Sequence, residues 1–305
     1  MRHHEGVLPA VRPRGVAYAL ASRRALPGWW GVGRRVRGVV SGMGKGEVAR
    51  LVGRLRGAGC VFAEDEAALL VAEAVDEAAL EAMTVRRVAG EPLEQVVGWA
   101  LFEGLRIAVA PGVFVPRART GTLVEQALRV LPDAGTVVDL CCGSGAVGVA
   151  VAVARPDARL WAADVDPAAT ACAARNVAAF LPGRGEVLLG DLDAPLPTRL
   201  LGRVDVLVAN APYVPTAEIA HMPVEAREHE PHVALDGGTD GVDLHRRVAA
   251  AAPRWLAPGG HLLIETSGRQ APATVAACAA HGLTAHVVHD DERDGTVVVA
   301  RRAGS

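Results

Sequence analysis

The sequence predicts an α/β protein, in which a mostly parallel β-sheet is covered on both faces by helices and preceded by a small helical domain. Three observations support this prediction. After Thr136, short β-branched runs alternate with helical patterns, which is typical of parallel strands joined by crossover helices. A glycine-rich turn follows the first of these runs. Upstream, residues 45–87 repeat apolar side chains at helical spacing.

Composition limits the classes of protein that the chain can represent. Its 305 residues suffice for one large domain and a smaller one, and 50% of them are hydrophobic. No apolar run is long and charge-free enough to span a bilayer, so we expect no membrane association. A net charge of −2 gives no electrostatic reason to expect stable nucleic-acid binding. Five cysteines without CxxC spacing indicate neither a disulfide framework nor a metal site, and a cytoplasmic location is expected.

Changes in pattern divide the chain into four segments. Residues 1–42 are rich in Arg, Gly and Pro without sustained periodicity, and we expect a disordered Arg-rich extension there. Residues 43–90 predict a helical domain, and the Gly-Glu-Pro that closes this segment ends the helical pattern. Residues 91–118 predict a β-hairpin linker with glycines at its turns. Residues 119–305 form the predicted main domain.

The elements of the main domain follow from its apolar pattern. β-branched runs predict strands, and apolar residues three and four positions apart predict helices. Strands are predicted near 136–140, 159–164, 186–190, 204–209, 260–266, 285–289 and 296–301. Helices are predicted near 145–154, 167–180, 242–256 and 270–280.

The stretch "VVDLCCGSGAVGVAVA" predicts a buried strand, a tight glycine turn and the start of a helix. Gly143 and Gly145 permit backbone conformations that other residues avoid, and they let a ligand approach the main chain. Taken alone, such a loop is compatible with NAD, with FAD or with an ordinary turn. We interpret the neighbouring Cys141 and Cys142 as small apolar fillers rather than redox groups.

Three acidic residues sharpen the interpretation of this loop. Asp139 lies at the end of the first strand, Asp164 closes the second, and Asp191 follows the third. The carboxyl ends of parallel strands meet at one edge of the sheet, where ligands of such sheets bind. Three carboxylates would repel a pyrophosphate but would suit a cationic sulfonium. Together they favour S-adenosyl-L-methionine (AdoMet) over NAD.

The stretch "VLVANAPYVP" ends the fourth predicted strand at the same edge. Taken alone, Asn210 and Pro212 would indicate a turn. Pro212 biases Ala211 toward an extended backbone, which fixes the direction of the Ala211 carbonyl. That carbonyl and the Asn210 side-chain oxygen can accept both N–H bonds of one –NH2 group, and Tyr213 can pack on the flat group. Such a clamp would hold the lone pair of an amide or exocyclic amine against a methyl donor.

With these residues the chain resembles the HemK/PrmC family, the protein-(glutamine-N5) methyltransferases that modify the Gly-Gly-Gln loop of peptide chain release factors. The resemblance runs from about Lys45 to Arg302. Its motifs are "GEP" (Gly90–Pro92), "VPRARTGTLVE" (Val115–Glu125), "VDLCCGSGAVG" (Val138–Gly148), "NAPYVP" (Asn210–Pro215) and "EPHVALDGGTDGVDLHRRV" (Glu230–Val248). The last of these is the most discriminating.

The resemblance implies a Rossmann-like class I AdoMet-dependent methyltransferase sheet of seven strands, the last antiparallel. It also implies that the N-terminal helical domain docks a protein substrate. The implied cofactor contacts are Cys141, Cys142, Gly143, Ser144, Gly145, Asp164, Asp191, Leu192 and Asn210, to which the strand-end position adds Asp139. The implied catalytic segment, which holds the substrate glutamine, is Asn210, Ala211, Pro212 and Tyr213.

The chain departs from the family pattern at three places. Ala211 stands where the family has proline, which frees φ and adds an N–H. Ala118–Gly121 replaces a run of proline, acid, threonine and glutamate, so that two acids are lost and Arg119 reverses a charge. Cys141 and Cys142 replace small residues of the glycine loop.

In the "EP" motif, we expect Glu230 to form an ion pair or to fix a loop rather than to join a metal cluster with its histidine neighbours.

We therefore expect AdoMet-dependent N5-methylation of a protein glutamine, in the Gly-Gly-Gln motif of release factors. Three alternatives stay open at this point. A divergent paralogue could methylate another protein glutamine, and an adenine-N6 methyltransferase could use the same clamp on a flipped RNA or DNA base. A cofactor-binding partner without activity would also fit the altered residues around Ala211 and Arg119.

Overall fold

The computed structural model describes residues 44–222, 227 and 230–304. The expected extension over residues 1–42 lies outside the described residues, as does His229. The chain divides into two compact units, the first ending at Val88 and the second beginning at Ala89.

The first unit contains three helices, α1 (Lys45–Gly57), α2 (Ala63–Glu73) and α3 (Glu77–Val88). Each helix buries its apolar face in this unit, as Leu55 and Leu70 do at 0% exposure. The Arg87 Nε donates to the buried carboxylate of Glu66 at 2.7 Å, which joins α3 to α2. A buried carboxylate needs such a partner because burial removes its hydration.

The second unit opens with the short helix α4 (Leu93–Val97) and a hairpin formed by β1 (Trp99–Phe102) and β2 (Leu105–Ala108). Glu103 and Gly104 form its two-residue turn, both with positive φ, which matches the twist of a tight hairpin. The hairpin is anchored by Asn176, whose Oδ1 accepts from the Ala108 N–H at 2.8 Å. The Asn176 Nδ2 donates to the carbonyls of Ala108 and Ser144, and thereby connects the hairpin to the glycine loop.

Seven strands of the second unit form one sheet in the order β5-β4-β3-β6-β7-β9-β8 within the described residues. Strands β3 to β7 are parallel, whereas β9 is antiparallel to both β7 and β8. The strands are β3 (Thr136–Leu140), β4 (Arg159–Asp164), β5 (Gly185–Leu189), β6 (Val204–Ala209), β7 (Leu256–Thr266), β8 (Leu283–Asp290) and β9 (Gly295–Arg302). The predicted α/β fold class and the antiparallel last strand are confirmed.

Helices on both faces cover this sheet. They are α5 (Gly121–Val130), α6 (Ala146–Ala154), α7 (Pro167–Phe180), α8 (Asp243–Trp255) and α9 (Ala271–Ala280). Alternate residues of the strands face opposite layers: Val137 packs with α5 and α6, and its neighbour Val138 packs with α8. None of the helices that the structure describes has the length and apolarity needed to cross a membrane.

Three elements differ from the prediction, the first being helix α4, which lies in the segment 91–118 that was expected to form a hairpin linker. Helix α5 was not predicted, because it begins with Gly121 and Thr122, which are weak helix formers. It forms because Leu123, Val124 and Ala127 share one buried face against the sheet. Strand β7 begins at Leu256 rather than near residue 260, through an irregular pairing with β6 that a Pro-Gly-Gly sequence had hidden.

Candidate active site

A cavity of about 380 Å³ opens at the carboxyl ends of β3, β4 and β6. The sequence-predicted site residues that line it are Asp139, Cys141, Cys142, Gly143, Ser144, Asp164, Asp191, Leu192, Asn210, Ala211, Pro212 and Tyr213. Gly145 does not line the cavity. Its φ of 76° starts α6, and a β-carbon there would lie 3.2 Å from that of Ala173. Gly145 therefore allows the close packing of α6 on α7.

The glycine loop between β3 and α6 takes left-handed backbone conformations at three positions. Cys141, Gly143 and Gly145 have φ values of 56°, 55° and 76°. Only the glycines adopt this region without steric cost, so Cys141 holds the loop at some strain. Burial raises the pKa of the Cys141 and Cys142 thiols, which keeps them protonated and supports their interpretation as fillers.

Asp164 organises the loop rather than standing free at the strand end. Its Oδ2 accepts from the Gly143 N–H at 2.8 Å, and its Oδ1 accepts from the Asp166 N–H at 3.0 Å. Burial nevertheless raises the pKa of this carboxyl above its ordinary value. Asp164 therefore fixes the loop from one side and leaves its remaining lone pairs to the cavity.

Asp139 is deeply buried, at 2% exposure. Its Oδ2 accepts from the Gly148 N–H at 2.8 Å, and a β-carbon at Gly148 would lie 2.9 Å from that oxygen. Burial, with a smaller effect of the Asp164 charge, raises the pKa of Asp139 to about 7. A cation entering the cavity would favour the ionised form.

Asp191 differs from these two acids because it has a cationic partner. The Arg247 Nη2 on α8 donates to the Asp191 Oδ2 at 2.6 Å, and both side chains are about half exposed. The sequence alone predicts three uncompensated acids at this edge. The structure instead pairs one of them with a cation, whereas Asp139 and Asp164 accept from backbone N–H groups.

The Asn-Ala-Pro-Tyr segment leaves β6 and is held on both sides. The Gln270 Nε2 donates to the Tyr213 carbonyl at 2.6 Å, and the Val214 N–H donates to the Leu235 carbonyl at 3.1 Å. Ala211 is 1% exposed in spite of lying at the cavity wall. The backbone that would form the clamp is therefore fixed by neighbours, although Ala211 lacks the ring that restrains proline.

Arg119, which stands where the family motif has an acidic residue, lines the cavity beside the Asn-Ala-Pro-Tyr segment. Its guanidinium carbon is 5.9 Å from the centre of the Tyr213 ring. Its Nε lies 3.5 Å from the Oε1 of Glu265, a carboxylate that is 3% exposed at the end of β7. Burial raises the pKa of Tyr213, so the hydroxyl stays neutral. Arg119 therefore has two defined partners in the cavity wall.

Gly121, the other departure in this motif, lies outside the cavity lining. A side chain at this position would collide with the Glu103 carboxylate from the hairpin turn, and the Arg293 Nε would lie 3.1 Å from its β-carbon. A carboxylate from another part of the chain thus occupies the place where the family motif has its own acid.

Glu230 bears out the expectation of an ion pair. The Arg117 Nη2 donates to its Oε1, and the Glu230 side chain is 1% exposed. No group of three potential metal-ligating side chains occurs among the residues that the structure describes.

Four residues of the site were not singled out from the sequence: Thr120, Asn176, Arg247 and Glu265. Glu265 lies one residue before the end of β7 and beside Asn210, and the strand-end rule that selected the three aspartates would have selected it too. Asn176 is a lone amide on the buried face of an alanine-rich helix, which is a recognisable pattern. Thr120 and Arg247 gave no local indication, because their partners are distant in sequence.

Comparisons with known proteins agree with this geometry. Residues 104–227 match the family model described as "Methyltransferase small domain". The release factor glutamine methyltransferase of Geobacter sulfurreducens is 41% identical over 194 residues, covering 64% of this chain and 67% of that protein. The corresponding protein of Bifidobacterium longum is 35% identical over 265 residues, covering 76% of this chain and 90% of its own length.

Among solved structures, a release factor-specific protein-(glutamine-N5) methyltransferase from Alicyclobacillus acidocaldarius is 27% identical. The superposition with that structure covers 64% of this chain and 98% of the other, with a TM-score of 0.39. The sequence similarity to the two bacterial relatives decides the assignment: the chain belongs to the family of release factor glutamine methyltransferases.

Proposed function

We propose that this protein transfers the methyl group of AdoMet to the side-chain amide nitrogen of a glutamine in a peptide chain release factor. The observation that supports this most directly is the shared cavity of the glycine loop and the Asn-Ala-Pro-Tyr segment. The glycine loop lets a cofactor approach the main chain, and the Asn-Ala-Pro-Tyr segment offers acceptors for an –NH2 group. The names of the relatives supply the substrate protein.

The donor set of the cavity fits AdoMet. Asp139 and Asp164 are buried carboxyls whose pKa burial raises, and a bound cation would favour their ionised form. Gly143, with φ of 55°, has open space where a β-carbon would stand. We propose that the loop from Cys141 to Ser144, with Asp164, Asp191, Leu192 and Asn210, holds the cofactor. When bound, AdoMet supplies an electrophilic methyl group on a sulfonium.

The chain's own task is then to orient a weak nucleophile. An amide nitrogen attacks poorly because its lone pair is delocalised, so holding both N–H bonds of the glutamine against fixed acceptors directs that lone pair. We assign this role to the Asn210 side-chain oxygen and the Ala211 carbonyl. The same acceptors stabilise positive charge that develops on nitrogen during transfer. Tyr213 provides a flat, neutral wall, and no strong general base is needed.

The helical domain over residues 43–90 has a proposed role as well. Its three helices form a unit separate from the cavity-bearing unit. We propose that it docks the release factor, while the cavity receives only the glutamine side chain.

The experiment combines the purified protein, labelled AdoMet and a release factor, with RNA in a parallel reaction. We expect mass spectrometry to locate one methyl group on the glutamine of the Gly-Gly-Gln motif. Label on adenine would establish the adenine-N6 alternative, and label on another protein glutamine from a cell extract would establish the divergent paralogue. Cofactor binding without transfer to any acceptor would overturn enzymatic activity altogether.

The Asn210→Ala variant tests the clamp in the same assay. Loss of one preorganised group that stabilises developing charge costs on the order of 100-fold in kcat. We expect at least that loss at saturating AdoMet, with an unchanged melting temperature. Saturation keeps the proposed contact of Asn210 with the cofactor from contributing to the loss. Transfer at the parental rate by this variant would contradict the clamp.

A further inference from the structure

The orientation of the Asn210 amide decides whether the proposed clamp can work. Its Oδ1 must face the substrate, since Nδ2 is a donor and would repel the donor –NH2 of a glutamine. The two ends of an amide have nearly the same shape, so the protein must distinguish them by hydrogen bonding. The residues that could do so lie behind Asn210, on the short turn Ala118–Thr120 and at the end of β7.

Thr120 contacts both Asn210 and the carboxylate of Glu265. The Asn210 Nδ2 donates to the Thr120 Oγ1 in a long hydrogen bond of 3.5 Å. Burial raises the pKa of the Glu265 carboxyl, and its interactions with the Thr120 hydroxyl and the Arg119 guanidinium partly offset that rise. Thr120 is 1% exposed and Glu265 is 2% exposed, so water does not compete strongly for these contacts. Ala209 and Ile264 are register partners, which sets Asn210 and Glu265 side by side.

The direction of each hydrogen bond follows from Glu265. A carboxylate only accepts, so the Thr120 hydroxyl must donate to it. The Thr120 oxygen then has only lone pairs to offer, and they accept from the Nδ2 end of Asn210. Arg119, 3.5 Å from the Oε1 of Glu265, favours the ionised form on which this order depends. The Oε2 of Glu265 is buried and has no hydrogen-bond partner in the described part of the chain, so this carboxylate has spare capacity to accept an O–H.

We propose that Thr120 and Glu265 are positioning residues, which fix the Asn210 amide with its oxygen toward the substrate. Arg119 supports them because its positive charge stabilises the ionised form of Glu265. This inference rests on the proposed function, because it assigns the orientation that the glutamine clamp requires. It also explains how an arginine at position 119 is tolerated beside the cavity, where the family motif has an acid.

The test uses three variants of the full-length chain and one matched control. Thr120→Val removes the hydroxyl at nearly constant shape, and Thr120→Ser keeps it. Glu265→Gln replaces the carboxylate, which only accepts, with an amide that can also donate a hydrogen bond to the Thr120 oxygen. The control is Thr122→Val, since Thr122 is equally buried but its hydroxyl donates to Asp290 at 3.2 Å. Thermal melting and AdoMet affinity identify any variant that fails to fold.

Two readouts separate positioning from mere packing. In transfer to the release factor, we expect kcat to fall by about 10- to 100-fold in Thr120→Val and Glu265→Gln with little change in KM. Thr120→Ser should restore kcat to within a few-fold of the parent, and Thr122→Val should match the parent. Thr120→Val with the kcat of Thr122→Val would overturn the proposal.

The second readout requires no substrate. The side-chain NH2 resonances of Asn210 can be assigned in a 15N-correlated NMR spectrum by their absence in Asn210→Ala. We expect them to shift in Thr120→Val and Glu265→Gln but not in Thr122→Val; unchanged positions in all three would overturn the proposal. A parent enzyme that methylates no release factor would contradict the proposed function, while the NMR comparison would still decide the orientation of the amide.

Discussion

The guanidinium of Arg117 donates to the buried carboxylate of Glu230, 113 residues further along the chain. Arg117 follows the hairpin, and Glu230 precedes a segment whose residues Pro231, Val233, Ala234 and Leu235 line the cavity. One ion pair thus attaches a wall of the site to the segment that follows the hairpin. The two side chains differ in environment, since Arg117 is 40% exposed and Glu230 only 1%.

This asymmetry predicts the cost of breaking the pair. Removing one partner of a buried pair costs about 3–5 kcal/mol, and the exposure of Arg117 reduces this through solvent screening. We expect Arg117→Ala to lower the free energy of unfolding by about 1–2 kcal/mol in urea titrations. A double-mutant cycle with Glu230→Gln should recover most of that loss as coupling energy.

The control is the exposed pair of Arg129 and Glu125, one helical turn apart on α5. Exposed pairs at this spacing contribute about 0.3–0.5 kcal/mol, so Arg129→Ala should have a clearly smaller effect. Equal losses in the two arginine variants would show that the burial of Glu230 adds nothing to its pair.

Cys141 leads to a prediction about the glycine loop. Its φ of 56° costs a residue with a β-carbon about 1–2 kcal/mol, and branching at that carbon raises the cost. Glycine would relieve the strain but would lose about 0.5–1 kcal/mol through its greater freedom in the unfolded chain. We therefore expect Cys141→Gly to leave the free energy of unfolding equal or slightly raised, and Cys141→Val to lower it by about 1–2 kcal/mol.

Cys142 provides the comparison, because it is buried in the same loop but lacks a positive φ. Cys142→Val should be tolerated better than Cys141→Val in chemical denaturation. Equal stability of the two valine variants would show that the positive φ of Cys141 adds no measurable cost to a branched side chain.

Much of the fold was predictable because its parallel strands and crossover helices leave local patterns. The runs ending at Leu140 and Ala209 are apolar on both faces, as buried strands must be. Helix α5 escaped prediction because its stability comes from packing rather than from propensity. The strand-end rule then placed most of the predicted site residues around one cavity.

What local patterns could not show was the partner of each charge. Arg247 lies 56 residues from Asp191, and Glu103 fills the space beside Gly121 from a separate hairpin. Such pairs depend on how the chain returns to the same edge of the sheet, which periodicity does not encode. Arg119 illustrates the consequence: in sequence it reversed a charge, whereas in the structure it compensates the buried Glu265.

His245 on α8 predicts how stability depends on pH. Its ring is fully buried beneath the Asn-Ala-Pro-Tyr segment, its Nδ1 lies 2.8 Å from the Thr274 Oγ1, and its centroid lies 6.4 Å from that of Tyr213. Burial lowers the pKa of His245 from 6.5 to about 4, an effect that the Ala211 backbone partly offsets. Between about pH 4 and 6.5 the imidazole of His245 is therefore neutral in the folded protein but protonated in the unfolded chain.

The sign of the effect follows from this difference. Above pH 6.5 neither state is protonated and His245 has no pH-dependent effect; as the pH falls from 6.5 toward 4, the unfolded state gains protons and stability is lost. Each pH unit in that window is worth about 1.4 kcal/mol, so the loss approaches about 3 kcal/mol. Urea titrations of the parent and of His245→Gln across this range should show a stability difference that shifts toward the variant on acidification. His281→Gln, which changes an exposed histidine, should leave the profile parallel to the parent. A His245→Gln profile that also stays parallel to the parent would mean that His245 binds its proton equally in both states.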